Sequence, residues 1–253
     1  MEVKQKALFD YLLWLGDNGL ILGQRIAEWC GHGPYLEEDI ALTNISLDLI
    51  GQARAFLSYA GELEGKGRDE DKLAFFRNDR EFKNNLLVEE PNGDFGKTIL
   101  RQYFFSVFAE LLFEKLSASN DEKLAALAAK SLKEVKYHKV HSQKWLLRLG
   151  DGTPESHSRM QAALNEMWHL TGDLFENAES DNLLFSERIA FDLAETKPHW
   201  SKEVISDLLE ASLQIPTNAF MLKGGRNGFH SEHLSHILTE MQALPRAIPE
   251  GKW

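Results

Sequence analysis

The chain has 253 residues, 43% hydrophobic and 26% charged, a composition typical of a globular protein with a sizeable core. Its 28 Lys and Arg against 39 Asp and Glu give a net charge of −11, which argues against binding to nucleic acid or to anionic membranes. Cys30 has no cysteine partner, and residues 1–9 lack the apolar core of a signal peptide, so a cytoplasmic location is expected.

Apolar residues recur every three or four positions along the chain, which predicts an all-α protein. Asp94, either Asn120 or Asp121, and Thr153 are predicted N-caps, the last followed by a proline at the first helical position. Short helices are expected near residues 73–76 and 86–88, and residues 177–192 are expected to be irregular. The longer predicted helices cover residues 4–29, 36–62, 95–117, 121–149, 154–176, 198–213 and 231–246.

Four of the long helices fall within residues 1–150, the number that a four-helix bundle needs. No linker rich in Pro, Gly or Ser divides the chain. The sequence therefore predicts one domain over residues 1–253, with a core bundle in residues 1–150 and additional packing helices in residues 151–253, ending in a segment that contains Trp253.

The first predicted helix contains Gly16, Gly19 and Gly23, which lower its helix propensity. Such glycines permit either a close approach of a second helix or a kink. Both interpretations are open from the sequence.

The fourth long helix carries a pattern that is close to a metal-binding motif. Di-metal carboxylate bundles use Glu-x-x-His, because side chains at i and i+3 converge on one spot. Here Tyr137 stands three residues after Glu134, and His138 comes one position late. His141 follows on the same side of the helix.

The other long helices offer further carboxylates. Asp48 on the second helix is followed three residues later by Gly51, which has no side chain to bind a metal. The inward candidates for a metal site are therefore Asp17, Asp48, Glu110, Glu134 and His138. The alternative for each is a solvated helix face or a structural ion pair, with Lys136, Lys139 or Arg54 as neutralising cations.

Other groups of residues favour structural roles. His230, His233 and His236 recur at three-residue steps, but with Ser231 and Glu232 they are more typical of helix capping and packing than of a metal site. Cys30 is expected to be a buried small residue. The tryptophans at 14, 29, 145, 168 and 200 are expected in the core. A position at an interface with a partner is the alternative for one or two of them.

Several stretches together resemble the ferritin-like structural subunit of bacterial 1,2-phenylacetyl-CoA epoxidase. The resemblance covers nearly the whole chain. It rests on residues 15–18 (LGDN), 28–32 (EWCGH), 39–45 (DIALTNI), 47–54 (LDLIGQAR), 87–95 (LVEEPNGDF), 133–138 (KEVKYH), 228–234 (GFHSEHL) and 240–242 (EMQ).

The resemblance implies a multicomponent monooxygenase of aerobic phenylacetate breakdown. A homologous sister subunit would carry the di-iron centre, and a reductase would supply electrons from NADPH. This chain would hold no cofactor and would pair with the catalytic subunit. Gly51 and Tyr137, at the histidine positions, agree with this division of labour.

Two rival hypotheses remain. The chain could be a di-iron or di-manganese oxygenase in its own right, with an irregular site at the five candidate residues. It could also be a ferritin-like storage or stress protein, although it lacks a ferroxidase-type ligand set.

Overall fold

The computed structural model describes residues 1–217, 219–249 and 251, so Trp253 lies outside the described residues. Within these ranges the chain forms nine α-helices and no β-strand, which confirms the all-α prediction. Four of the helices have 22 to 29 residues, as a ferritin-like fold requires. No helix in the described ranges is both long and apolar enough to span a membrane.

The α-helices have the following bounds: α1 Val3–Ala27, α2 Leu36–Glu64, α3 Glu70–Phe75, α4 Phe95–Leu116, α5 Glu122–Gly150, α6 Pro154–Met167, α7 Asp181–Ser186, α8 Lys197–Glu210 and α9 Glu232–Ala247. Single turns or short runs of 3-10 helix cover Asp79–Glu81, Leu86–Glu89, Trp168–Phe175, Leu193–Glu195 and Gly225–Asn227.

The N-caps predicted at Asp94 and Thr153 are confirmed, and of the two candidates Asn120 and Asp121 the structure shows Asp121 as the N-cap of α5. The side chains of Asp94, Asp121 and Thr153 accept hydrogen bonds from the backbone N–H groups three residues further on, at 2.9, 2.8 and 3.2 Å. These bonds satisfy donors that have no partner inside the first helical turn, and they fix the starts of α4, α5 and α6.

The structure differs from the prediction in two segments after α6. The helix predicted for residues 154–176 is α-helical only to Met167 and continues as a 3-10 helix, in which the Thr171 hydroxyl donates to the Trp168 carbonyl at 2.8 Å. The segment predicted to be irregular contains α7, where the Asp181 carboxylate accepts from the backbone N–H of Ala178 at 2.9 Å.

The described chain forms two compact units. The first contains residues 1–32, 37–90 and the chain from Gly224 onward, with α1, nearly all of α2, α3 and α9. The second contains residues 33–36 and 91–223, with α4 to α8. The single-domain arrangement stays a prediction.

In the first unit, the glycines of α1 allow close packing on α2. A methyl group built on Gly19 would lie 2.9 Å from the Leu49 carbonyl oxygen, and one built on Gly16 would lie 2.7 Å from the Leu57 side chain. The Ser46 hydroxyl donates to the Gly23 carbonyl at 2.8 Å. Of the two interpretations that the sequence leaves open, the structure shows the close approach.

The core of the second unit is centred on α4 and is rich in aromatic side chains. The ring of Phe104 lies 5.9 Å from Trp168 and 5.7 Å from Trp200, and Trp200 Nε1 donates to the Phe104 carbonyl at 3.0 Å. In the first unit Trp14 is fully buried and donates to Asn85. The prediction of a core position is therefore confirmed for the tryptophans at 14, 168 and 200, whereas those at 29 and 145 are only half-buried.

We predict that Gly19→Ala destabilises the protein by about 1–3 kcal/mol, because the added methyl group must displace the backbone of α2. Gly51→Ala on α2 is the matched control, since a methyl group there meets no atom within 4 Å. It should stabilise the helix by up to about 1 kcal/mol. Chemical denaturation of both variants tests this, and equal shifts of the same sign would contradict the close-packing account.

Candidate functional site

Asp17 of α1 is fully buried, and the protein itself supplies the cation that neutralises it. Arg77 directs both terminal nitrogens at the two carboxylate oxygens, with Nη1 3.0 Å from Oδ2. The backbone N–H of Lys83 donates to the same Oδ2 at 2.9 Å. The side chain of Arg77 is 2% exposed, so both partners of this ion pair are removed from water.

Arg77 is held by several further contacts in the first unit. Its Nη1 donates to the Glu81 carbonyl at 3.1 Å, and its guanidinium lies 4.2 Å from the ring centroid of Phe82. Its own carbonyl accepts from Gln242 at 3.0 Å and from Arg246 at 2.8 Å, both on α9. The ion pair therefore ties α1, the segment after α3, and α9 together.

Asp48 and Gly51, the other predicted pair on α2, are not buried. Asp48 is half-buried and Gly51 is exposed, facing open space. Position 51 therefore faces outward from α2, and the prediction that it occupies an inward, ligand-bearing position was wrong.

In the second unit Glu110 of α4 is paired with Lys139 of α5, one of the cations proposed from the sequence. Lys139 Nζ also lies 2.8 Å from Glu203 Oε1 on α8. Burial alone would lower the pKa of Lys139, but hydrogen bonds to the two carboxylates outweigh burial and raise the pKa of this ammonium above its ordinary value. Of the other two suggested cations, Arg54 pairs with Glu70 at an exposed position and Lys136 is exposed.

The Glu134–His138 segment of α5 divides between the interior and the surface. His138 is buried and Glu134 is half-buried, whereas the side chain of Tyr137 is 52% exposed. The ring of Tyr137 lies 6.1 Å from that of His141 and 6.3 Å from that of His138. Tyr137 therefore does not occupy an inward ligand position, because the residue that turns inward is the one at i+4 from Glu134.

These residues do not fit the di-metal pattern. Across the described part of the chain, no three side chains of His, Cys, Asp or Glu are grouped so that they could hold a metal ion. The Asp17 carboxylate already accepts two hydrogen bonds from a guanidinium, and a metal ion at those oxygens would have to displace that cation.

Sequence reasoning missed a second buried carboxylate, Glu89, in the first unit. Its side chain is fully buried and accepts from Asn84 Nδ2 at 3.0 Å, from the Ser231 backbone N–H at 2.9 Å and from the Ser231 hydroxyl at 2.6 Å. Ser231 precedes α9 as predicted, but its side chain binds Glu89 and makes no capping bond to the helix.

His230 completes the Glu89 cluster. Its Nδ1 lies 2.5 Å from Glu89 Oε1 and its Nε2 lies 2.9 Å from the Phe82 carbonyl oxygen. The Phe82 carbonyl is an acceptor, and so is the Glu89 carboxylate when it is ionised, so the ring donates to both as an imidazolium. Burial alone would lower the pKa of His230, but the hydrogen bond and charge of Glu89 outweigh burial and raise the pKa.

A third polar cluster, in the second unit, was also missed. Asp207 of α8 accepts from the Tyr103 hydroxyl on α4 and, at 2.6 Å, from Gln143 Nε2 on α5. Burial and the hydrogen bond to this carboxylate raise the pKa of Tyr103 far above its ordinary value. The phenol therefore stays protonated and acts as a donor that holds three helices together.

Two further expectations can be compared with the structure. Cys30 is exposed, so the prediction of a buried cysteine was wrong: it lies in the turn after α1, beyond the last buried residue of the apolar stripe. His236 is exposed and His233 half-buried, whereas the side chain of His230 is 4% exposed. Only His230 of the three packs in the interior.

Two comparisons with known proteins agree over nearly the whole chain. The model of a family described as phenylacetic acid catabolic protein matches residues 1–253. The chain is also 51% identical over 246 residues to a protein of Escherichia coli (strain K12) that is named as one of the subunits of 1,2-phenylacetyl-CoA epoxidase. That alignment covers 97% of this chain and 99% of the E. coli protein.

We predict that Arg77→Met and Asp17→Asn each lower the free energy of unfolding by about 3–5 kcal/mol, because each leaves a buried charge without its partner. Arg54→Met is the matched control: the Arg54 side chain is 75% exposed, and loss of its pair with Glu70 should cost less than about 1 kcal/mol. Denaturant unfolding measures all three, and similar losses for Arg77→Met and Arg54→Met would contradict the assignment.

We also predict a pH dependence from His230. Because its pKa is raised in the folded state above the ordinary value of 6.5, its stabilisation is fully present below that value and is lost as the pH rises through the folded-state pKa. His230→Gln should lower the unfolding free energy by about 1.5–3 kcal/mol at pH 6 and by less at pH 9. A loss that is the same at both pH values would show that His230 is not protonated in the fold.

Proposed function

Because the chain belongs to the phenylacetic acid catabolic protein family, we propose that it is a subunit of a multicomponent di-iron monooxygenase that epoxidises the ring of phenylacetyl-CoA. The name of the E. coli relative supports this assignment, since the two proteins are 51% identical along nearly their full lengths. We propose further that this chain is the non-catalytic, structural partner of the catalytic subunit.

The observation that carries the non-catalytic role is the pairing of Asp17 with Arg77. A ferritin-like oxygenase uses inward carboxylates to bind its metal ions. Here the Asp17 carboxylate forms an ion pair with the Arg77 guanidinium, and the Glu110 carboxylate forms one with the Lys139 ammonium. The chain's own cations thus neutralise carboxylates that would otherwise need metal ions or protons.

In this proposal the di-iron centre resides in a homologous catalytic subunit, and a reductase supplies electrons from NADPH. This chain needs no cofactor. Its physical role is to cover apolar helix faces of the catalytic subunit and to hold that subunit's helices in place. A cytoplasmic location belongs to the same proposal.

The rival function, an oxygenase with its own irregular site at Asp17, Asp48, Glu110, Glu134 and His138, has less support. It would require Asp17 to release Arg77, which would leave a buried guanidinium without its carboxylate. Such a buried unpaired charge costs several kcal/mol.

We predict that the purified chain forms a stable complex with the catalytic subunit and that phenylacetyl-CoA turns over only when that subunit is present. Mixtures of this chain, reductase, NADPH and O2 should show no turnover, and adding the catalytic subunit should restore it. Size-exclusion chromatography and product analysis measure the two properties. Turnover without the catalytic subunit, or no association with it, would overturn the proposal.

A further inference from the structure

The exposed side of α5 is strongly basic, in contrast with the rest of the chain. The helix contains seven Lys or Arg and two Glu, which gives it a net charge of +5. Because the whole chain carries −11, the residues outside α5 carry −16. The five exposed cations that define the basic face of α5 are Lys130, Lys133, Lys136, Lys144 and Arg148.

The cations of the basic face lie along one side of the helix. At about 100° and 1.5 Å per residue, residues 130–148 span about 27 Å, and the five side chains fall within an arc of about 120°. The four lysines form no ion pair with any residue that the structure describes. The only acidic residue of α5 beyond its first position is Glu134, which is half-buried.

Two apolar side chains lie in the middle of the basic face. Tyr137 is 52% exposed and Val140 is 43% exposed. At its end, the guanidinium of Arg148 lies 5.4 Å from the ring of the half-buried Trp145. Tyr, Trp and Arg are enriched among the residues that dominate protein interfaces, and an apolar centre with a charged rim is the usual anatomy of such an interface.

We propose that the basic face of α5 binds an acidic surface of another protein subunit, with Tyr137 and Val140 contacting an apolar patch at its centre. The proposal rests on the function proposed above, because it places the partner within the same enzyme complex. Charge complementarity would guide the approach of the partner, and the apolar contacts would hold it.

The charge distribution argues against two other occupants. A second copy of this chain cannot bind face to face, since two basic faces repel. A nucleic acid would meet repulsion from the remaining −16 charges of the molecule.

The test compares two variants that have the same net charge. Lys133→Glu, Lys136→Glu and Lys144→Glu together reverse the basic face, and Lys4→Glu, Lys197→Glu and Lys202→Glu reverse three exposed lysines elsewhere. Each triple variant shifts the net charge from −11 to −17. Binding to each purified subunit of the epoxidase from the same organism is measured at about 50 mM and about 300 mM NaCl.

We predict that one subunit binds the wild-type chain more weakly at high salt and that reversal of the basic face raises its Kd about tenfold or more, while the control triple raises it less than about twofold. Tyr137→Ala should weaken binding at both salt concentrations with an unchanged salt dependence. Where the Glu triple unfolds, the Lys→Gln triple at the same positions replaces it, with an expected loss of about threefold.

Other outcomes distinguish a failure of the proposed function from a failure of the proposed interface. If no subunit binds the wild-type chain, the proposed function fails. If subunits bind but both triple variants bind equally well, the function stands and the basic face is not the interface. If the face reversal abolishes only self-association or only binding to a double-stranded DNA oligonucleotide, the occupant is a second copy or a nucleic acid, and the inference is overturned.

Discussion

The ion pair between Asp17 and Arg77 is the constraint on which the first unit depends. Two charges inside a protein are stable only when their geometry is good and their remaining hydrogen-bonding groups are satisfied. Both carboxylate oxygens of Asp17 accept hydrogen bonds from the guanidinium of Arg77. The same guanidinium also donates to the Glu81 carbonyl and packs against the Phe82 ring. Because the carbonyl of Arg77 also accepts from Gln242 and Arg246, the position of α9 depends on the same residue.

A common principle connects this pair with the clusters around Glu89, Glu110 and Asp207. Each of these carboxylates is paired with donors from other elements. Glu89 is bound by His230 and Ser231, and Glu110 by Lys139. Asp207 is bound by Tyr103 and Gln143. In a di-metal bundle such carboxylates converge on metal ions. Here they converge on protein cations and hydroxyls, so the polar interior cross-links helices. This is the physical basis for proposing a scaffold in place of a catalyst.

Much of the fold could be predicted from the sequence, because caps and apolar spacing are local signals. Asp94 and Thr153 marked helix starts correctly, and Asp121 was one of two candidates for a third start. The four long helices were predicted within a few residues of their observed ends. The orientation of individual side chains was less predictable: Gly51, Tyr137 and Cys30 all lie at the surface. Arg77 and Glu89 lie in the segment between α2 and α4, where no periodic pattern indicates which polar residues turn inward. The charged partner of Arg77, Asp17, is 60 residues away in sequence, and His230, which pairs with Glu89, is 141 residues away.

We propose that this chain neutralises its inner carboxylates with its own cations and hydroxyls, without iron. The most direct measurement is the iron content of the purified chain after anaerobic loading with ferrous iron and removal of the excess, in the wild type and in Glu134→Ala. We expect well below one iron per chain, with the same value in the variant. One or two iron atoms per chain, lost in Glu134→Ala, would contradict it.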